Sequence, residues 1–199
     1  MKRPYRQTKR ARTTAETTQR IVDAAIQLHT TLGPAETTIS AIAEQAGVER
    51  LTVYRHFPRD EDLLRACVAH GWDRFPPPDH ESWARIVDPE TRLRTALAEL
   101  YAYYEAVGDA LVVIVRDFPR APMLAALNAP YFERWNEMRE VLARGWNRRG
   151  RRRRALLAAI AHSLELSTWE SLVRGQDLPA AEAVDLLVDL VRCAGGSGR

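Results

Sequence analysis

Six polar or charged side chains, Glu49, Arg50, Thr52, Tyr54, Arg55 and His56, fall within eight residues of this chain. Side chains of these types, set on the outward side of one short helix, can reach base edges and phosphates in the major groove of duplex DNA. A second set, His162, Glu165 and Trp169, stands at i, i+3 and i+7, so the three share a face if one helix carries them. His162 and Glu165 could be offered as a metal pair or an acid–base pair, but the ferritin-like pattern takes two such pairs plus further glutamates. No other histidine here has a glutamate at the matching offset on an evident buried face. Gly-rich phosphate loops, a Gly-x-Ser-x-Gly elbow and a His-Glu-x-x-His run are absent from the sequence. Cys67 and Cys193 lie far apart, with neither metal-ligand spacing nor a disulfide framework. The expectation is a protein with no catalytic residues, no metal and no cofactor.

The first set must be positioned by the stretch from Thr37 to Leu64, which reads as two short helices joined by a tight turn and followed by a third. Thr38 is placed to cap a helix with Ile39, Ile42, Ala43 and Ala46 facing inward, and Gly47 supplies the left-handed residue that ends it. The next helix buries Val53 and Phe57, with Val48 in the turn, and stops at Pro58, because the residue before a proline avoids the helical region. Small Ala43 lets the two helices cross closely. An earlier helix is expected from about Ala15 to Leu32, with Ile21, Ala25, Leu28 and Leu32 on one face, and a fourth begins near Glu61.

This stretch resembles the TetR family of bacterial transcriptional regulators. The residues that carry the resemblance are Thr37-Thr38, Ile42-Ala43, Ala46-Gly47-Val48, Thr52-Val53-Tyr54-Arg55-His56-Phe57, Glu61 and Leu63-Leu64. Two positions depart from the family's habit: Leu51 stands where a small residue is common, and Asp60 where a lysine often precedes the next helix. Leu51 can touch a thymine methyl or simply pack, Arg59 can take over the lysine's phosphate contact, and Asp60 suits the N-cap of the fourth helix. The resemblance implies an all-α protein with an N-terminal three-helix DNA-binding head and a larger helical domain for ligand binding and dimerisation. The DNA-contact set is then Thr38, Ser40, Glu49, Arg50, Leu51, Thr52, Tyr54, Arg55, His56 and Arg59. The implied partners are a double-stranded, pseudo-palindromic DNA operator, a second copy of the chain through the last two helices, and an unidentified small-molecule inducer that releases a repressor from DNA.

Charge agrees with a nucleic-acid partner. Residues 1–12 carry Lys2, Arg3, Arg6, Lys9, Arg10 and Arg12 with no acid, and residues 1–60 hold ten basic against six acidic residues, while the whole chain is only +3. The arm is expected to be disordered alone and ordered on DNA. No apolar segment follows these basic residues as a secretory signal would require, and no apolar run is long enough to span a membrane, so a cytoplasmic protein without membrane contact is expected.

Beyond residue 65 the pattern stays helical. Pro76-Pro77-Pro78 breaks the chain after the fourth helix, and Asp88-Pro89-Glu90 opens a helix with Leu93, Leu97, Leu100, Tyr104 and Val107 on one side. Leu111–Val115 is a short apolar run, divided by prolines 119, 122 and 130 from a helix carrying Tyr131, Trp135, Met138 and Leu142. The last two helices run from about Ala155 to Arg174 and Ala180 to Cys193. Each has a broad apolar surface, with Leu187 and Val191 as test positions for the dimer. A flexible Gly195-Gly196-Ser197-Gly198 tail follows. The expected divisions are 1–14 for the arm, 15–60 for the head and 61–199 for the larger domain. Tyr104, Trp135, His162, Glu165 and Trp169 are the ligand candidates, although aromatics at helical spacing also serve simply to fill a core. Arg148, Arg149 and Arg151–Arg154 form a second basic run, either a patch for an anionic partner or a solvated loop whose helix starts later. An enzyme and a sequence-indifferent DNA-coating protein are the rival function classes.

Overall fold

The computed structural model describes residues 3–194, except for the side chains of 3–10, 131 and 132. Lys2 and the other cationic groups of the arm up to Arg10, the Tyr131 and Phe132 side chains and the Gly195-Gly196-Ser197-Gly198 tail therefore lie outside the described residues. Every regular element among the described residues is helical. The helices are α1 (Arg3–Thr31), α2 (Ile39–Ala46), α3 (Arg50–His56), α4 (Asp60–Arg74), α5 (His80–Trp83), α6 (Pro89–Arg116), α7 (Pro122–Ala143), α8 (Gly150–Leu164), α9 (Leu166–Trp169), with a π-helical turn over Glu170–Gly175, and α10 (Ala180–Ala194).

Two compact units are present, one built from residues 1–76 and 109–128, the other from 77–108 and 129–199. The division falls within Pro76-Pro77-Pro78, as the proline break suggested, and it groups α4 with the first three helices rather than separating them at residue 61.

In the first unit α1 packs on α2 and α4, and α2 packs on α3. The shared core is Ile21, Val22, Ala25, Ile42, Ala43, Ala46, Val53, Phe57, Leu63 and Cys67, with Leu28 and Ile39 partly buried against it. Leu32, placed on the buried face by its spacing, is instead half exposed, because α1 stops at Thr31 and Gly33 turns the chain away. The arm that was expected to be disordered is α-helical from Arg3. Pro4 sits in the first turn, where its missing N–H costs nothing, and no glycine or later proline interrupts the helix before residue 31.

In the second unit Trp83, Leu93, Leu97, Leu100, Met138, Leu142, Ile160, Val188 and Val191 are fully buried. The Asp88 carboxylate accepts from the Thr91 backbone N–H at 2.7 Å, which fixes the start of α6 as the sequence indicated. Two boundaries differ from expectation. Leu111–Val115 is not a separate run but the last turns of α6, and Pro130 lies inside α7 rather than before it. A helix-interior proline costs about 3 kcal/mol by removing one backbone hydrogen bond, so packing along the rest of this 22-residue helix outweighs local preference there. The expected single helix over 155–174 is broken at Glu165, whose extended backbone (φ −72°, ψ 138°) separates α8 from α9.

Candidate nucleic-acid interface

The turn between α2 and α3 is fixed by local chemistry. The Thr38 hydroxyl accepts from the Ala41 N–H at 3.2 Å, capping α2. At the other end Gly47 adopts φ 64°, ψ 42°. Its N–H reaches the Glu44 carbonyl (3.1 Å), and the Val48 N–H reaches that of Ala43 (2.9 Å). This paired closure of a helix end requires a residue with positive φ, for which glycine pays no steric penalty. The chain then enters α3 with Glu49 at the N-cap position, its carboxylate uncommitted to capping.

Along α3, Val53 and Phe57 point into the head's core while Arg50, Leu51, Tyr54 and Arg55 face out. Leu51 is 74% exposed and Tyr54 37%. Burying a Leu is worth about 1.5–3 kcal/mol, so this one is not there for packing within the chain. Arg50 donates to the Tyr54 hydroxyl at 3.4 Å, and its guanidinium lies 5.7 Å from the ring centroid, so the pair forms one pre-ordered donor surface one helical turn long.

Thr52 and His56 are only half exposed. His56 Nδ1 lies 2.9 Å from the Thr18 hydroxyl of α1, which pins the end of α3 to the first helix and leaves Nε2 as its remaining polar atom. Ser40 is exposed on the first turn of α2. Arg59 is otherwise engaged: its guanidinium meets Asp62 at 2.6 and 3.1 Å, and it occupies the N-cap position of α4 that the sequence assigned to Asp60. The acids Asp60, Glu61 and Asp62 all fall in that first turn, where they suit the helix dipole and hold Arg59 over it.

A part of the head that sequence reasoning missed lies about 80 residues downstream. Asp117, only 1% exposed, accepts from the Ala35 N–H at 3.0 Å and from Arg116 Nε at 3.0 Å. Arg116 also donates to the Leu32 carbonyl (3.0 Å), and Arg120 pairs with Glu36 (2.6 Å). These bonds grip the Gly33–Glu36 turn just before the Thr38 cap. The backbone donor at Ala35, followed by Arg116, holds the Asp117 carboxyl below its ordinary range. Gly33 has φ 105°, and a Cβ there would collide with the Asp117 carboxylate. The available signal was slight: one aspartate flanked by Arg116 and Arg120 after an apolar helix, and a Gly-Pro after α1. A second tie joins α4 to the start of α7, where Trp72 Nε1 donates to Asn128 Oδ1 at 3.1 Å.

The ligand candidates of the second unit divide. Tyr104 and Trp169 are buried with ring centroids 5.8 Å apart, and Trp169 packs so closely on Gly108 that a Cβ there would lie 2.6 Å from the indole. The break at Glu165 frees the Leu164 carbonyl, which accepts from the Tyr104 hydroxyl (2.7 Å) and Trp135 Nε1 (3.3 Å). Burial pushes the Tyr104 phenol pKa up, so it stays protonated as a donor. Trp169 Nε1 is buried and makes no hydrogen bond among the described residues. His162 and Glu165 do not join this cluster. Both are exposed, satisfied locally by Thr168 and Ser167, because the break removes the single helical face on which i, i+3, i+7 spacing would have aligned them with Trp169.

Comparison with known proteins follows this geometry. The family model described as "Bacterial regulatory proteins, tetR family" matches residues 21–67. The HTH-type transcriptional regulator SrpR of Pseudomonas putida is 37% identical over 78 residues, which span 36% of this chain and 37% of that protein. TtgW, an uncharacterized HTH-type transcriptional regulator from another strain of Pseudomonas putida, is also 37% identical over 78 residues, covering 36% of this chain and 58% of that one. The match thus spans less than two thirds of either relative. Among solved structures, a TetR-like transcriptional regulator from Rhodococcus sp. RHA1 superimposes with a TM-score of 0.63 at 19% identity, covering 91% of this chain and 97% of that one. The fatty acid degradation regulator FadR from Bacillus halodurans gives 0.59 at 20% identity, with 87% and 93% covered. At such identities these two likenesses bear on the fold alone. By residues 21–67 and the helical architecture around them, the chain belongs to the TetR family of bacterial regulatory proteins.

Proposed function

We propose that the protein is a dimeric, sequence-specific transcriptional regulator, a repressor released from a pseudo-palindromic operator by a small-molecule inducer. The observation that carries this reading is the outward face of α3, where Arg50, Leu51, Tyr54 and Arg55 are exposed on a helix whose other side is locked into the head. Arg50 and Thr52 are assigned to bases, Glu49 to a cytosine amino group and Leu51 to a thymine methyl. Thr38, Ser40, Tyr54, Arg55 and His56 are assigned to phosphates. Arg59 reaches phosphate only by exchanging its bond to Asp62.

For the dimer, α8 and α10 pack on each other within the protomer and consume Leu187 and Val191 in its own core. Leu186 (50% exposed) and Leu190 (45%), one turn apart on α10, are the apolar residues left to meet a second copy. For the inducer, Tyr104, Trp135 and Trp169 are the supported contacts, with the unpartnered Trp169 N–H as a donor to an acceptor on the ligand. Ligand binding shifts α4, and with it the spacing of the two α3 helices. It can do so only through preference for the non-binding spacing, and a swing from 99:1 to 1:99 takes about 5.5 kcal/mol of that preference. The test compares binding to a selected operator with binding to random duplex at one salt concentration: a preference of at least about 10³ supports specific regulation, and equal affinities support a DNA-coating protein instead.

A further inference from the structure

We propose that the arginine run at the start of α8 is a second, sequence-indifferent docking surface for the phosphate backbone of duplex DNA, separate from α3. Seven arginines, 144, 148, 149 and 151–154, occur within eleven residues that contain no acid. The solvated-loop alternative does not hold, because α8 begins at Gly150 and Arg151–Arg154 form its first turn. That turn has no acidic residue and no side-chain cap at Arg149, so four guanidiniums sit against the positive end of the helix dipole as well as against one another. Arg144, Arg149 and Arg151–Arg154 are exposed. Glu140 answers Arg153 at 3.4 Å, and among the described residues Arg148, Arg149, Arg151, Arg152 and Arg154 have no ion-pair partner. The field reaches inward as well: Arg92, which donates to the Arg144 carbonyl, has its guanidinium pKa lowered by burial and then by the Arg144 charge.

A fold gains nothing from concentrating repulsion in this way, and a bound polyanion relieves it. The surroundings decide which polyanion. The exposed non-arginine residues of the run are Gly145, Asn147 and Gly150, with Ala155 just beyond, while Trp146 is buried. A lipid surface needs an apolar face to insert, and an acidic protein partner needs an apolar centre to its interface. Neither is present, whereas counterion release from phosphates needs only cations. Duplex DNA, rather than another nucleic acid, is the commitment that rests on the proposed function.

The test uses the full chain and a labelled random-sequence duplex of about 30 base pairs, titrated at several salt concentrations between roughly 50 and 200 mM. Arg149→Gln, Arg151→Gln, Arg152→Gln and Arg154→Gln are added one at a time. Each lost phosphate contact should flatten the slope of log K against log salt by about 0.9, so the quadruple variant loses about 3 to 4 in slope and at least about 10-fold in affinity at low salt. The four Arg→Lys substitutions should retain the slope. Thermal melting of the glutamine series should stay level or rise, since like charges leave a helix start. An unchanged slope across the series overturns the proposal. So does loss of binding to phosphatidylglycerol vesicles with duplex binding intact, which would make the run a lipid contact. Selection of a preferred sequence by wild type and quadruple variant alike keeps the α3 reading independent of this result.

Discussion

Asp117→Asn is the most informative single change in the head, because it keeps the shape of a buried side chain and removes only its charge. The carboxylate accepts the Ala35 N–H and Arg116 Nε, each at 3.0 Å, and is 1% exposed. A hydrogen bond to a charged acceptor contributes about 1.5–3 kcal/mol and a neutral one about 1. Arg116 is 55% exposed, so solvent screens its share and the backbone bond carries most of the effect. The expected net loss is about 1–2 kcal/mol. For a chain of this size that lowers the melting temperature by roughly 2–8 °C at pH 7. The folded carboxyl titrates below its unfolded value, so its contribution is fully present above the unfolded pKa and is lost as pH falls through the folded one. The gap between wild type and variant should therefore narrow below about pH 4. Gly33→Ala should cost at least as much, since it combines a φ of 105° with a collision against the same carboxylate. Calorimetry at pH 7 decides: identical melting of Asp117→Asn and wild type would refute the view that this residue clamps the turn before α2.

Three further outcomes follow from named contacts. Leu186→Glu with Leu190→Glu should give a folded monomer by sedimentation, whereas Leu187→Glu, 2% exposed, should instead unfold the protomer. His29 is buried and its pKa is lowered by desolvation to about 4, so the unfolded chain takes up the proton first as pH falls. Stability should drop by up to about 3 kcal/mol between pH 6.5 and 4 and level off below, and His29→Leu should remove that slope in pH-dependent denaturant melts. Tyr54→Phe keeps the ring under Arg50 but loses the hydroxyl, so it should weaken selected and random duplexes by a similar factor in fluorescence titrations.

The head was legible because its determinants are local. Thr38, Gly47 and Pro58 each act within a turn of their own position, and the Val53–Phe57 spacing names the buried side of α3. Asp117 was hidden because its partner Ala35, like the Leu32 carbonyl held by Arg116, is more than 80 residues away, and nothing in a helical period marks such a bond. The candidate ligand set failed in part for a related reason. Periodicity continues through Glu165, but the backbone does not, and no glycine or proline announces the break. Leu187 and Val191 carry the apolar period that any amphipathic helix shows, and period alone does not tell a protomer's own core from a partner's.

The central claim is that the outward face of α3 reads a symmetric DNA site. Selection from a randomised duplex library tests it most directly, run with wild type and with Arg50→Ala in parallel. Wild type should enrich a pseudo-palindrome of two half-sites, and the variant should lose preference at one position in each half-site, at a cost of about 1–3 kcal/mol if Arg50 is bidentate to guanine. Failure of wild type to enrich any sequence, or enrichment of the same sequence with the same affinity by Arg50→Ala, would contradict it.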